Sequence, residues 1–220
     1  MDGAVFLDRD GVINELVYYA EHGVVDSPFT AQQFKLIPGA SEAIKMFHEL
    51  GFKVIIASNQ PGMAKGYFSQ ETFDSIRQRM SDELAEEGAS FEAEYYCFHH
   101  PEAKVEGLKA NCGCRKPKPG LLLQAAKNLK IDLCQSWMIG DGLTDIQAGK
   151  SAGCRTILLG RMKCELCRLM DDQDARPDYV AANLLEAANL IKNHKSEINP
   201  TDSANSSNPT NSTNTRNPTD

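Results

Sequence analysis

Five short strand-like runs, separated by stretches of helical period, constrain this chain more than any other feature. They are Ala4–Leu7, Phe52–Ala57, Glu94–Cys97, Trp137–Gly140 and Thr156–Leu159. Runs this short and apolar suit strands buried on both faces. Between them, Ala43, Phe47 and Leu50 mark one helix from Pro38-Gly39 to about Leu50. Phe73, Ile76, Met80 and Leu84 mark a second from an Ser69 cap to near Gly88. Leu122, Leu123, Ala126 and Leu129 mark a third behind Pro119-Gly120, and a short helix follows over Ile146–Ala152. Tyr179-Val180 reads as a last short strand before a helix from about Leu184 to Lys192. Strands alternating with helices predict an α/β fold with a mainly parallel sheet flanked by helices. Polar clusters follow Leu7, Ala57, Cys97 and Ile139, and in a parallel sheet those ends share one edge.

The first cluster is Asp8-Arg9-Asp10-Gly11. In extended chain, residues i and i+2 point to the same side, so two carboxylates can share one small space past the strand. A bound cation relieves their repulsion, and glycine permits a sharp turn close to a ligand. A solvated Asp-x-Asp turn has the same spacing, which leaves both readings open.

The 220 residues allow one α/β domain with extra segments. A net charge of -7 and a pI near 5.3 argue against a nucleic-acid partner. No apolar run reaches the length of a bilayer span, and Met1-Asp2-Gly3 lacks the character of a secretion signal. Of the seven cysteines, Cys97, Cys112 and Cys114 crowd together, which suits metal binding in a reducing compartment. A cytoplasmic monomer acting on a small molecule, with no membrane partner, is the expectation.

The clustered residues permit a defined chemistry. Asp8 can attack phosphorus and form an aspartyl-phosphate, and Asp10 can protonate the leaving group and then activate water. Asp141, arriving from another strand end, can complete an oxygen-rich Mg2+ site with Asp8 and the Asp10 carbonyl. The Ser58 hydroxyl can donate to a phosphoryl oxygen, and Lys116 can supply positive charge. Lys116 alone is more often a solvated surface lysine, but its place beside Arg115 and before a proline-braced helix start favours the site; Asp145 either braces the site or caps a helix.

Asp8-Arg9-Asp10-Gly11, Ser58-Asn59-Gln60, Arg115-Lys116-Pro117 and Gly140-Asp141 resemble the motifs of the haloacid dehalogenase superfamily of phosphohydrolases. Phe6–Gly11, Asn59-Gln60-Pro61-Gly62 and the stretch from Cys97-x-His99 to Cys112-x-Cys114-Arg115-Lys116-Pro117 resemble more closely the D-glycero-D-manno-heptose 1,7-bisphosphate 7-phosphatases. Histidinol-phosphate phosphatases are their nearest relatives. The resemblance covers about residues 4–192 and implies a Rossmann-like, haloacid dehalogenase-like fold with a zinc-binding loop. It implies Asp8 as nucleophile, Asp10 as acid/base, and Mg2+ on Asp8, Asp10 and Asp141. Ser58, Asn59, Arg115 and Lys116 would contact the phosphoryl group or substrate, a sugar phosphate of heptose biosynthesis. Cys97, His99, Cys112 and Cys114 would bind a structural Zn2+, with His100 as the alternative imidazole.

The chain departs from that pattern at Gly142, where many members carry a lysine, at Val12, which replaces a common threonine, and in the segment Glu15–Phe34, expected to be a long loop. Rival readings are a histidinol-phosphate phosphatase and a catalytically silent, zinc-stabilised binding protein. Cys164-x-x-Cys167 reads as two ordinary thiols on a surface helix, and Cys134 and Cys154 as small core residues. Residues 1–195 form the expected phosphatase domain, with the zinc loop at 97–116. Residues 196–220, dominated by Asn, Ser, Thr and Pro, form an expected disordered tail.

Overall fold

The computed structural model describes residues 2–21, 23–160 and 169–198. The sheet strands are β1 (Ala4–Leu7), β4 (Lys53–Asn59), β5 (Ala93–Cys97), β6 (Trp137–Gly140), β7 (Arg155–Leu159) and β8 (Tyr179–Ala181). The helices are α1 (Ala40–Glu49), α2 (Gly62–Lys65), α3 (Gln70–Glu86), α4 (Gly120–Leu129), α5 (Leu143–Ala152) and α6 (Leu184–Ile198). A separate antiparallel hairpin joins β2 (Val17–Tyr19) to β3 (Val24–Asp26).

All six sheet strands run parallel, in the order β5-β4-β1-β6-β7-β8. The chain winds outward from β1 in both directions, so the order reverses between β1 and β6. The crevice outside that reversal is where ligands of open α/β sheets collect. Leu7 is in register with Ile56 on one side and Ile139 on the other. The residues that follow, Asp8, Ser58 and Asp141, therefore emerge close to one another.

Period-two alternation divides the core. Val5, Leu7, Val54, Ile56, Ile139 and Ile157 pack towards Ile44 and Phe47 of α1, Ile76 and Leu84 of α3, and Ile191 of α6. Ala4, Phe6, Ile55, Ala57 and Met138 face the other way, against Leu121, Leu122 and Ala125 of α4. All four β1 residues are buried, so β1 tolerates no polar side chain on either face. Truncating Phe6 to alanine would cost roughly 3–5 kcal/mol.

Ser69 caps α3 as expected, accepting from the Thr72 N–H at 3.2 Å. Three expectations change. The segment after Glu15 holds the β2–β3 hairpin instead of only loop, and α6 continues beyond Lys192 to Ile198. Cys154 is buried, but Cys134 is exposed. Cys164, Cys167 and residues 199–220 lie outside the described residues.

Candidate active site

Asp8 leaves β1 with its N–H bonded to the Ile139 carbonyl at 3.0 Å, which extends the sheet ladder by one residue. Its Oδ1 accepts from the Arg9 N–H at 2.8 Å and meets Lys116 Nζ at 3.1 Å. Oδ2 has no hydrogen-bond donor among the described residues. Asp8, Asp141 and Asp145 each present a carboxylate oxygen, all within 4.8 Å of one another. Three hard oxygen donors at that separation fit a small divalent cation.

Two glycines make this crowding possible. At Gly11, φ is +77°, and an added Cβ would lie 2.1 Å from Asp141 Oδ2. At Gly140, an added Cβ would lie 2.2 Å from the Asp145 carboxyl carbon. Only a residue without a side chain lets the backbone approach these carboxylates so closely. Desolvation first, then the Asp8 and Asp145 charges, push the Asp141 pKa up to about 7, even though the residue reaches solvent.

Lys116 is no surface lysine. It is buried, with Nζ 2.5 Å from Asp145 Oδ1 and 3.1 Å from Asp8 Oδ1, and it donates to the Ala57 carbonyl at 2.8 Å. Desolvation opposes its charge, but Asp145 and Asp8 outweigh that and raise its pKa. Asp145, also buried, has its own pKa raised to about 6: desolvation exceeds what Lys116 takes back. It braces and caps at once, because Oδ2 accepts the Gly142 N–H at 3.1 Å at the start of α5.

Asn59 holds the lysine from behind. It donates to the Lys116 carbonyl and accepts from the Lys116 N–H, both at 3.0 Å. Both polar ends of its amide are engaged there, which makes it a clamp on the Lys116 backbone. The Asp10 carboxylate stands apart from the Asp8 cluster. Oδ1 accepts from Arg9 and from Asn14 Nδ2 at 3.0 Å, and Oδ2 accepts from Gln60 Nε2 at 2.6 Å.

A cleft of about 240 Å³ opens over these groups. Asp8, Asp10, Asn59, Arg115 and Asp141 line its floor, and Leu16, Val25, Asp26 and Ser27 of the hairpin region form a wall. Sequence reasoning missed that wall. Tyr19 anchors it, stacking on Phe29 at 4.2 Å and accepting the Phe29 N–H at 2.9 Å. A larger cavity of about 500 Å³ sits at the opposite sheet edge, beside Gly3, Phe52 and Trp137, away from every motif residue.

Cys97, His99, Cys112 and Cys114 form a second cluster, also with all four ligand atoms within 4.8 Å. The sulfurs are 3.1–3.4 Å apart, and His99 Nδ1 is 3.7 Å from Cys114 and 3.8 Å from Cys97. Tetrahedral Zn–S bonds of about 2.3 Å give sulfur separations near 3.8 Å, so a shift of a few tenths of an ångström completes the set. His99, not His100, is the imidazole that stands with the three sulfurs; His100 Nδ1 instead accepts the Glu102 N–H at 3.1 Å. Burial and the two neighbouring thiols push the Cys97 pKa up. At Cys112 burial also acts upward, but hydrogen bonds from Cys114, Cys97 and nearby backbone N–H groups win and bring it down to about 6. Burial, with the neighbouring Cys112 thiol, also raises Cys114, so of the three sulfurs Cys112 is the one whose thiolate is favoured.

The chain is 39% identical over 197 residues to the D-glycero-beta-D-manno-heptose-1,7-bisphosphate 7-phosphatase of Pasteurella multocida, covering 89% of this chain and 100% of that one. It belongs to that phosphatase family.

The Escherichia coli K12 member is 39% identical over 189 residues, covering 86% of this chain and 93% of the relative. A HAD-hydrolase-like family model matches residues 113–187. Among solved structures, the D,D-heptose 1,7-bisphosphate phosphatase of B. bronchiseptica, complexed with magnesium and phosphate, superposes with a TM-score of 0.70 at 29% identity. It covers 87% of this chain and 99% of that chain. The chain is accordingly a phosphomonoesterase with a haloacid dehalogenase-like fold. That removes the silent binding protein from the rival readings. No helix among the described residues is long and apolar enough to cross a membrane.

Proposed function

We propose that this enzyme hydrolyses the 7-phosphate of D-glycero-D-manno-heptose 1,7-bisphosphate through an aspartyl-phosphate on Asp8. What supports this above all is the Asp8 carboxylate itself: Oδ1 is fixed by Lys116 and the Arg9 N–H, and Oδ2 is free to attack. The new Asp8–phosphorus bond forms as the bond to the sugar oxygen breaks, and Asp10 gives that oxygen its proton. Asp10 then takes a proton from the water that cleaves the acyl-phosphate. Lys116 and Ser58 offset the charge that builds on the phosphoryl oxygens.

Asp8, Asp141 and the Asp10 carbonyl would hold Mg2+, with the Asp145 carboxylate adjoining them. When bound, Mg2+ would neutralise charge between the carboxylates and the phosphate. The sulfur and imidazole set at Cys97, His99, Cys112 and Cys114 suits structural Zn2+, with no open position for chemistry. Arg115 lines the cleft beyond the carboxylates, where its fork-shaped donor suits the second phosphate of a bisphosphate. Binding that remote group would orient the reacting one. Residues up to Ile198, where α6 ends, would carry all of this, and residues 199–220 none.

Two measurements test the reading. Asp8→Asn should lose turnover entirely, and substantial residual activity would refute the covalent route. The heptose bisphosphate should give the higher kcat/KM against histidinol phosphate, and Arg115→Ala should reduce that advantage. A better rate with histidinol phosphate would overturn the substrate assignment.

A further inference from the structure

Gln60 is fully buried between two groups that the proposed chemistry uses. Its Nε2 donates to Asp10 Oδ2 at 2.6 Å and to Ser58 Oγ at 3.1 Å, and its Oε1 accepts from Arg9 Nη2 at 2.9 Å. The direction of that amide is fixed by chemistry. A guanidinium has only donors, so a flipped amide would set its own N–H groups against those of Arg9. Arg9 is itself immobilised: it is fully buried, bonds both Asp10 oxygens, and lies 5.6 Å from the Phe73 ring centroid.

The consequence falls on Ser58. A hydroxyl that accepts from Nε2 keeps its own hydrogen for another acceptor, and among the described residues Ser58 Oγ has none. We propose that Gln60 is a positioning residue that turns the Ser58 hydroxyl hydrogen towards the transferring phosphoryl group, with Arg9 fixing the amide that does so. The assignment rests on the reading of Ser58 as a phosphoryl donor. Gln60→Glu keeps the shape and the Arg9 contact but converts a donor into an acceptor. The Ser58 hydroxyl then points to the new carboxylate and no longer serves the phosphate.

The test is a double-mutant cycle of Gln60→Glu with Ser58→Ala, read as kcat/KM on p-nitrophenyl phosphate. This leaving group departs without a proton, so the acid role of Asp10 drops out of the step measured. With Gln60 present, Ser58→Ala should lower kcat/KM by at least about tenfold, mainly in kcat, as loss of one oxyanion donor does. In the Gln60→Glu background the same change should cost less than about threefold. An equal loss in both backgrounds overturns the proposal and leaves Ser58 in its role. No loss in either background overturns the reading of Ser58 and the proposal with it. Thermal melting of each variant monitors folding; should Gln60→Glu not fold, Gln60→Met runs through the same cycle under the same criteria.

Discussion

Replacing Lys116 with methionine should cost about 3–5 kcal/mol at pH 7, the usual loss when one partner of a buried ion pair is removed. The ammonium lies 2.5 Å from Asp145, 3.1 Å from Asp8 and 2.8 Å from the Ala57 carbonyl, and Asp145 has no route to solvent once the lysine is gone. In a domain of this size each kcal/mol moves Tm by about 2–4 °C, so the expected drop is roughly 6–20 °C.

The loss should depend on pH with a definite sign. Desolvation already holds the Asp145 pKa at about 6, above the ordinary 3.8, against the pull of Lys116. The folded protein then keeps a proton that the unfolded chain has released, so stability falls as pH rises through this window. In the parent that fall is complete a little above pH 6. Without Lys116 the pKa climbs further and the fall continues beyond pH 7. The Tm gap between parent and Lys116→Met should therefore widen from pH 5.5 to pH 8.5, read by circular dichroism without added Mg2+. Lys116→Met combined with Asp145→Asn removes both charges and should restore most of the stability but no turnover. A Lys116→Met protein that melts with the parent at every pH would refute the argument. So would a double variant no more stable than the single one.

Purified protein should hold one zinc per chain by elemental analysis, and chelation should lower Tm, because metal binding and local folding are coupled; protein with no zinc before chelation would contradict this. Gly11→Ala should lower kcat at least about tenfold in a steady-state assay, since its Cβ would fall 2.1 Å from Asp141 Oδ2 at a φ of +77°. Truncation after Ile198 should leave kcat/KM and Tm unchanged, because the removed segment has no apolar surface to bury.

The sheet was legible because its inner strands are buried on both faces and read as apolar runs, β1 and β6 above all, while the edge strands β5 and β8 are only partly buried. The β2–β3 hairpin was not. Its strands have three residues each, are half exposed, and lack alternation. The available signal was Val17-Tyr18-Tyr19 and Val24-Val25 flanking Gly23, two β-prone pieces around a turn residue. Asp8 and Asp141 stood out by chemistry at strand ends, and Lys116 by its place beside Arg115 ahead of a proline-braced helix start. Asn59 and Gln60 did not reveal their roles, because those roles depend on which atoms they face. Asn59 meets a backbone 57 residues away, and Gln60 meets Arg9 51 residues away. Periodicity and local motif carry no trace of such pairings.

The segment between β5 and α4 carries Arg115 and Lys116 with no strand or helix to hold it. Ordering such a stretch costs about 1–2 kcal/mol per residue in backbone entropy, which specific ties must offset. The two basic residues are tied differently. Lys116 is held by Asn59 on its backbone and by Asp8, Asp145 and Ala57 on its ammonium, none of which involves the cysteine cluster. Among the described residues, the Arg115 side chain makes a single hydrogen bond, from Nη1 to the His99 carbonyl at 3.3 Å, inside the cluster itself, while its backbone carbonyl accepts the Lys118 N–H at 2.9 Å. Loss of the metal should therefore loosen Arg115 well before Lys116. Zinc-depleted enzyme that remains folded should show a raised KM for a bisphosphate substrate with kcat nearly unchanged, and little change towards p-nitrophenyl phosphate, which lacks a second phosphate. An equal fall in kcat on both substrates would mean that the cluster supports Lys116 as much as Arg115, contrary to the contacts that hold them.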